Sequence, residues 1–523
     1  MGRAGGRSLV LSLAAASASS LSSQKLPDGY HVVDAMGKDP MEHIRGRPEG
    51  IHVYDTKGVN AATDDLTIGI EDPGHYWPSS RGPFPSMGEI EHAAPPANLG
   101  AHLSWSWTPP SDNKFQTVIA GGPVIDHKKN IYVAATDGVR KFSKNGTVLW
   151  HKKSYGGLAH APSLVGTMVM TSHTNGVVMG LDTETGRVIW SRRWTKESPR
   201  TGVFPAGYGD KWVFGTELGT DPRRPGGAAL AWALRPRDGW LTWNFRGENA
   251  FVNFAPLFPG DDTMVIMDFT GMVYRIDLRD GEVLWKSRPK GNHRSYSEGG
   301  AVIGPNEVVY TCSNPGASYG REGELGALRA YALSNGTMLW EQILPHPCNG
   351  NPSISNLTKE KASRLSVVVA PGSNLKHTPD LHGSVMAFDA HTGSLQWRYQ
   401  APRINQPIGA TNLLWEGSPQ KSEYDGTCYP SHWSSPRIST DGSVWAARAD
   451  GKIYNVKGPV HDAPEASIAL SRESDKLDLD FQTTAGVQVH QTAVSGPSTT
   501  GAMAFSPGMT VMSTCNSLYV YEH

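Results

Sequence analysis

The chain is poor in several features that mark common protein classes. Its 523 residues carry 48 Lys and Arg against 49 Asp and Glu, a formal net charge of -1 at pH 7. A net charge so close to zero gives no electrostatic attraction to nucleic acid or to an anionic membrane. The sequence also has no glycine-rich phosphate loop and no short His-x-x-x-His or Cys-x-x-Cys spacing of the kind that binds zinc. We therefore expect no nucleic-acid partner and no zinc site.

Long apolar runs are missing as well. The apolar stretch that follows Arg3 and Arg7 is too short to span a bilayer, and no later segment is long and apolar enough. With the small residues around Ala18 it predicts a secretory signal peptide over residues 1–18. A transit peptide is the alternative, because the stretch is rich in serine and no acid precedes Asp28. The predicted location is secreted or endomembrane lumen, alternatively an organelle lumen, with a soluble monomer as the mature form.

Cysteine is scarce, and asparagine sequons accompany it. The four cysteines allow up to two disulfides in an oxidising compartment, but their spacing does not reveal the pairing. They are Cys312, Cys348, Cys428 and Cys515. Three predicted glycosylation sites fit the same compartment. They are Asn145, Asn335 and Asn356.

Glycine and tryptophan, by contrast, recur at a fixed spacing. The stretch from His382 to Trp397 reads as a strand, a tight Thr-Gly turn and a second strand, and it is repeated along the chain. In all six copies a glycine lies four residues before the tryptophan. The tryptophans are Trp150, Trp190, Trp243, Trp285, Trp340 and Trp397. The best-kept copies carry Asp182, Asp277 and Asp389 with Gly186, Gly281 and Gly393. Because the Asp accepts turn N–H groups and the Trp buries a large ring, we assign these residues a structural role.

This repeat predicts an all-β fold. Four strands per repeat indicate the blades of a β-propeller over residues 101–523, with eight blades expected and seven as the alternative. The strand at Leu103 to Trp107 is expected to complete the last blade and so close the ring. The seventh blade lacks the tryptophan, and its outer strand is placed at Leu477 to Thr483. Residues 19–100 show no repeat and are read as an irregular N-terminal arm on the folded body.

The motif Gly-x-x-x-x-x-Asp-x-x-Thr-Gly-x-x-x-Trp resembles the repeat of the pyrroloquinoline-quinone (PQQ)-like β-propellers. That family includes quinone-dependent alcohol and polyvinyl-alcohol dehydrogenases, and also outer-membrane-assembly lipoproteins that hold no cofactor and act as scaffolds. The resemblance to the enzymes implies PQQ with calcium, the ion held by a Glu and an Asn beside an Asp base. Against it, no two cysteines are adjacent and no Cys-x-x-Cys-His haem motif is present.

Candidate site residues are the polar residues just before each first strand, at the mouth of the propeller. They are His160, Arg200, Asn253, Glu298, Asn351 and His432. In a quinone site, Arg200 would bind a carboxylate, Asn253 and Glu298 a metal, and His432 would act as a base. The competing interpretation, which we prefer, is a polar channel lined by turn residues.

Two functions follow. The preferred one is a non-catalytic scaffold without a cofactor that binds a protein or glycan partner through the mouth and through two late loops, at 402–431 and 458–498. The alternative is a quinoprotein-like oxidoreductase with PQQ and calcium.

Overall fold

The structure is a computed structural model that describes residues 73–83, 85, 88–110, 118–119, 121–153, 161–173, 176–193, 204–216, 230–251, 254–289, 295–296, 300–315, 325–358, 365–373, 382–404, 432–459, 482–494 and 498–523. Eight antiparallel sheets follow one another along the chain and form a ring, a β-propeller. The all-β, eight-bladed prediction is confirmed, and the seven-bladed alternative is wrong.

Blades 1 to 4 take up the first half of the ring. Their strands, from the first (inner) to the fourth (outer), are β3 (Val124–Ile125), β4 (Ile131–Ala135), β5 (Gly138–Phe142) and β6 (Val148–Lys153) in blade 1; β7 (Ser163–Val165), β8 (Met168–Ser172), β9 (Val177–Asp182) and β10 (Val188–Arg193) in blade 2; β11 (Ala206–Tyr208), β12 (Lys211–Thr216), β13 (Leu230–Leu234) and β14 (Leu241–Arg246) in blade 3; and β15 (Thr263–Met267), β16 (Val273–Asp277) and β17 (Val283–Ser287) in blade 4. In blade 4 a single bridge from Leu257 to Val265 stands in the place of the first strand.

Blades 5 to 8 complete the ring. Their strands are β19 (Ala301–Ile303), β20 (Val308–Pro315), β21 (Gly326–Ala332) and β22 (Met338–Leu344) in blade 5, where β18 (Ser295–Tyr296) pairs with the end of β20; β23 (Ser353–Asn356), β24 (Leu365–Val369), β25 (Ser384–Asp389) and β26 (Leu395–Gln400) in blade 6; β27 (Arg437–Ser439), β28 (Val444–Arg448), β29 (Lys452–Lys457) and β30 (Gln488–Ala493) in blade 7; and β31 (Ser498–Ser506), β32 (Met509–Thr514), β33 (Leu518–Glu522) and β2 (Leu103–Trp107) in blade 8.

The first and the last strand of the propeller meet in blade 8. Strand β2 lies antiparallel to β33, with Leu103 opposite Tyr521 and Trp107 opposite Leu518. A strand from the start of the propeller thus supplies the fourth strand of the last blade, as predicted. Since the closing pair is hydrogen-bonded along its length, the ring has no open sheet edge between its first and last blades.

One strand assignment was wrong. The outer strand of blade 7 is β30, which pairs with β29 from Lys452–Ala493 to Lys457–Gln488, and not Leu477 to Thr483. Residues 477–481 lie outside the described residues, and the end of the predicted strand is bound elsewhere. The Oγ1 of Thr483 accepts a hydrogen bond from the N–H of Gln400 in blade 6, and the N–H of Thr484 donates to the carbonyl of Arg398.

Neighbouring blades are fastened by a seam of tryptophans and glycines. In each of blades 8 and 1 to 5, one tryptophan of the outer strand donates its indole N–H to a backbone carbonyl of the following blade. The pairs are Trp105–Lys144 (2.7 Å), Trp150–Thr183 (3.1 Å), Trp190–Pro236 (2.6 Å), Trp243–Leu278 (2.7 Å), Trp285–Leu333 (2.8 Å) and Trp340–Ala390 (3.2 Å). The same rings lie on the turn glycines of the following blade, which are Gly146, Gly186, Gly239, Gly281, Gly336 and Gly393.

Replacing one of those glycines is expected to destabilise the fold. Gly239 has φ +66°, and a Cβ added there would lie 2.3 Å from the ring of Trp190. The turn therefore requires glycine for two reasons. The backbone has a positive φ, and the indole approaches too closely to leave room for a Cβ. Trp105 was not recognised as a member of the series from the sequence, because no copy of the turn motif precedes it.

Candidate functional site

The structure describes two of the six candidate residues at the mouth, meaning the end of the ring where each first strand begins. Both Asn351 and His432 are buried, with 2% and 5% of their surfaces exposed. The other four lie outside the described residues: His160, Arg200, Asn253 and Glu298. Whether all six side chains face one cavity therefore stays a prediction.

His432 is held between blades 6 and 7. Its Nδ1 lies 3.0 Å from the carbonyl oxygen of Ser373, and its Nε2 accepts a hydrogen bond from the Nε of Arg448 at 3.2 Å. Because a carbonyl can only accept and a guanidinium can only donate, these partners fix a neutral ring with the proton on Nδ1. Burial, and then the charge of Arg448, lower the pKa of His432 well below its usual range. Both ring nitrogens are thus in use, which does not suit a general base.

Asn351 joins three blades at the start of the first strand of blade 6. Its backbone N–H and its Nδ2 both donate to the Oγ of Ser435 in blade 7, at 3.1 and 3.2 Å. Its Oδ1 faces Gly300 of blade 5, where an added Cβ would lie only 1.9 Å away. Asn351 and His432 therefore serve separate contacts between blades.

Two further buried histidines lie near His432, and no spacing in the sequence groups the three. The rings of His346 and His382 are stacked with centroids 6.0 Å apart, and the charges of both contribute to the lowered pKa of His432. Beside them, Cys348 forms a disulfide with Cys312, with Cα atoms 5.5 Å apart. The bond ties the start of the loop between blades 5 and 6 to β20. Cys515 is also disulfide-bonded, and Cys428 lies outside the described residues.

The central channel contains the chain's own N-terminal arm. Trp77 forms a two-way backbone bridge with Ile125 of blade 1, and the carbonyl of Pro78 accepts from Leu164 of blade 2 at 2.7 Å. Trp77 also meets Phe505 of blade 8 edge-on, with ring centroids 5.3 Å apart. The arm thus enters among the first strands near the turns that lead into the second strands, which is the end of the channel opposite the mouth.

The arm then turns and leaves by the same end. Arg81 reaches towards the mouth and donates to the carbonyls of Ala301 (2.9 Å) and Pro352 (3.5 Å), at the start of the first strands of blades 5 and 6. Farther on, strand β1 (Glu89–Ile90) pairs in parallel with β27 of blade 7. The segment from His75 to His92, which we call the channel segment, therefore contacts the first strands of blades 1, 2, 5, 6, 7 and 8.

These contacts are relevant to whether a quinone could bind at the mouth. Arg81 occupies the wall between blades 5 and 6, next to Asn351, and His432 has no free ring nitrogen. In the part of the chain that the structure describes, no group of three or more His, Cys, Asp or Glu side chains could hold a metal ion. The residues assigned to the quinone and its metal, Arg200, Asn253 and Glu298, lie outside the described residues, so a quinone site there stays a prediction.

The ring of eight four-stranded blades, fastened by tryptophan on glycine, defines the PQQ-like β-propeller class. Comparison with known families agrees. The family model described as "Outer membrane protein assembly factor BamB" matches residues 97–246 and 269–422, more than half of the chain. The chain belongs to this family.

Individual relatives are distant. A protein of Yersinia pestis named outer membrane protein assembly factor BamB is 22% identical over 258 residues, which cover 47% of this chain and 58% of that protein. The chain thus spans less than two thirds of the length of this relative. Among solved structures, BamB from Moraxella catarrhalis has 14% identity and a TM-score of 0.47, covering 79% of this chain and 99% of that one. Quinohemoprotein alcohol dehydrogenase from Comamonas testosteroni has 11% identity and a TM-score of 0.54, covering 88% and 82%. The likeness to the dehydrogenase shows a shared fold.

Among the residues that the structure describes, no helix is long and apolar enough to cross a membrane.

Proposed function

We propose that this chain is a non-catalytic propeller scaffold that binds a protein partner at the mouth and through the two late loops. The observation that carries the proposal is the use of the channel by the chain's own arm. Arg81 lies against the first strands of blades 5 and 6, where a quinone site would need open space. The family description also supports it, because an assembly factor works by contacting other proteins.

The late loops are the natural contact regions because both interrupt the sequence repeat between strands of the propeller. The first, 402–431, runs from the end of blade 6 to His432, and its residues 405–431 lie outside the described residues. The second lies between β29 and β30, so it ends before Gln488. Loops carried on a rigid ring are a common site of binding function.

A loop exchange tests the scaffold proposal. Residues 405–431 would be replaced by a short Gly-Ser linker, with a linker in place of 460–481 as the second variant. We expect both variants to melt close to the parent, and at least one to lose the high-mass complex that the parent forms in extracts of its source cells, measured by size-exclusion chromatography with light scattering. If the parent elutes as a monomer in those extracts and binds on a glycan array, the partner is a glycan and the protein-binding proposal is wrong.

A second experiment addresses the enzyme alternative directly. Purified protein would be titrated with PQQ and CaCl2 by calorimetry and then assayed for dye-linked oxidation of primary alcohols. We expect no saturable quinone binding and no turnover. Saturable binding with alcohol oxidation that is lost in a Glu298→Gln variant would establish the oxidoreductase instead.

The secretory location remains a proposal, and the three sequons allow a test of it. Asn145, Asn335 and Asn356 are all exposed. Expressed with its own N-terminus in a eukaryotic secretory host, the protein should shift in gel mobility after endoglycosidase treatment, and each Asn→Gln change should remove one step of that shift. A protein that stays in the cells without any glycan would contradict this location.

A further inference from the structure

Two arginines meet inside the central channel, and both are almost completely buried. Arg81 comes from the channel segment and Arg437 from the first strand of blade 7, with 3% and 1% of their surfaces exposed. They are brought together by the fold, because the Nη2 of Arg437 donates to the carbonyl of Ser80, the residue before Arg81, at 2.6 Å. Residues 356 positions apart in the sequence thus place two positive charges side by side.

Their hydrogen bonding is incomplete. The Nη2 of Arg81 donates to two carbonyls and the Nη2 of Arg437 to one, but the Nε and Nη1 of both guanidinium groups have no partner. The Oγ of Ser80, the residue before Arg81, is also buried without a partner. Four N–H-bearing nitrogens and one hydroxyl are therefore unsatisfied in one small region, whereas buried polar groups are nearly always paired.

Their charge is not balanced either. In the described part of the chain, neither guanidinium has a carboxylate as a hydrogen-bond or ion-pair partner. The indole of Trp77 lies 5.6 Å from the guanidinium carbon of Arg437, which offsets only part of the cost of burial. Burial, and then the charge of Arg437, lower the pKa of Arg81, and burial lowers the pKa of Arg437 to about 10. Because a guanidinium keeps its proton in proteins, the region carries two positive charges.

Two other buried arginines, by contrast, have carboxylate partners. Arg140 in blade 1 is 5% exposed, and its guanidinium forms a bidentate ion pair with the carboxylate of Asp137, with N···O distances of 2.6 and 2.5 Å. Arg329 in blade 5 is 2% exposed and binds Glu341 and two serine hydroxyls. Burying an unpaired charge costs several kcal/mol, which makes the pair at Arg81 and Arg437 an exception that calls for a negative partner.

We propose that Arg81 and Arg437 bind a small oxyanion or carboxylate inside the channel, between the channel segment and the first strands of blades 5 to 7. The free Nε–H and Nη1–H groups supply charge-assisted hydrogen bonds to its oxygens, and the Ser80 hydroxyl adds a donor. The anion joins the channel segment to the ring, because one arginine belongs to each. Since the arginines are enclosed, the anion is taken up as the segment folds into the channel and is released on unfolding.

The first test is to find the anion. Full-length protein purified in chloride buffer would be denatured by heat, and the released anions would be identified by ion chromatography. We expect about one equivalent per chain of phosphate, sulfate or a small carboxylate, which also separates inorganic from organic sources. Refolding in chloride alone, followed by titration with sulfate, phosphate, acetate or malonate at constant ionic strength, should raise the melting temperature saturably by roughly 2 to 5 °C for the anion that fits.

Matched variants locate the effect. Arg81→Met and Arg437→Met should each abolish the anion-dependent rise, while Arg140→Met, which removes an arginine already paired with Asp137, should keep it. If either channel variant fails to fold, hydrogen exchange of residues 75–83 in the parent, with and without the anion, gives the same information: exchange should slow only with the anion that raises the melting temperature.

Two results would contradict the proposal. The proposal would be overturned if the parent releases no anion and if its melting temperature changes between chloride and the other salts by no more than that of Arg140→Met. An Arg81→Met variant that retains the full anion response would also overturn it.

Discussion

Gly239 and Trp190 offer a sharp test of the seam between blades. Gly239 lies in the turn of blade 3 with φ +66°, and a Cβ there would lie 2.3 Å from the ring of Trp190, which blade 2 contributes. Gly239→Ala should therefore carry two costs. The left-handed backbone costs about 1 to 2 kcal/mol for a residue with a Cβ. Displacing a packed indole costs about 1 to 3 kcal/mol more.

A control isolates the backbone cost. Gly209 lies in the same blade with φ +55°, and an added Cβ would meet nothing within 4 Å. Gly209→Ala should thus cost only the first term, about 1 to 2 kcal/mol. Trp190→Ala removes a side chain that is 1% exposed and leaves the carbonyl of Pro236 without its donor, for which we expect about 3 to 5 kcal/mol.

The double variant decides whether the two residues act on each other. Without the indole, the Gly239 change should cost only its backbone term, so the pair should be less destabilised than the sum of the singles by about 1 to 3 kcal/mol. Urea unfolding followed by far-ultraviolet circular dichroism would give these differences. If Gly239→Ala costs no more than Gly209→Ala, or if the two changes in the seam are additive, the reasoning is refuted. Should Trp190→Ala be too unstable to purify, the half-exposed Trp105 with Gly146 permits the same cycle at a smaller cost.

Three further predictions address other parts of the molecule. Trp77→Ala should lower stability by about 3 to 5 kcal/mol and make the channel segment sensitive to limited proteolysis, because this side chain is 2% exposed among blades 1, 7 and 8; an unchanged digestion pattern would contradict the placement. Replacing Cys312 and Cys348 by alanine opens a loop of 36 residues and should cost about 3 to 4 kcal/mol in denaturant unfolding, whereas a variant as stable as the parent would show that the bond contributes nothing. Burial lowers the pKa of His173 to about 4, so the unfolded chain binds the proton first as the pH falls. His173 should therefore contribute about 2 kcal/mol to the loss of stability from pH 7 to pH 5, and His173→Gln should reduce that loss by the same amount in melts at each pH.

The repeat explains which parts of the fold the sequence could predict. Blades 1 to 6 were predicted because a glycine at positive φ and a tryptophan four residues later are local requirements of one turn. The count of eight and the closure of the ring followed from three strands at the C-terminal end and an unpaired strand at Leu103 to Trp107. Blade 7 lacked that tryptophan, and there the strand assignment was wrong. The closing strand was recognised as an unpaired strand, but its Trp105 was not recognised as a part of the seam.

The site could be predicted less well, because its contacts are not local. Arg81 lies 220 positions from Ala301 and belongs to a segment without any repeat, so no pattern connects the two. A position just before a first strand also does not determine where a side chain points. His432 turns to Ser373 of blade 6 and Asn351 to Ser435 of blade 7, where each finds a hydrogen-bond partner between blades.

The junction between blades 7 and 8 shows what replaces the seam where the tryptophan is absent. The outer strand of blade 7, Gln488–Ala493, has no indole to place on blade 8. A short 3-10 helix, Leu99–His102, contacts both β30 and β33, and the N–H of Gly100 in it donates to the Oγ1 of Thr492 at 3.1 Å. Leu99 is completely buried in the cluster that blades 7 and 8 share. The same stretch of chain leads from the channel segment, through this helix, into the closing strand β2. Closure of the ring and occupation of the channel are therefore linked through a few residues. Loosening of the channel segment is expected to weaken this junction, where the outer strand of blade 7 carries no tryptophan.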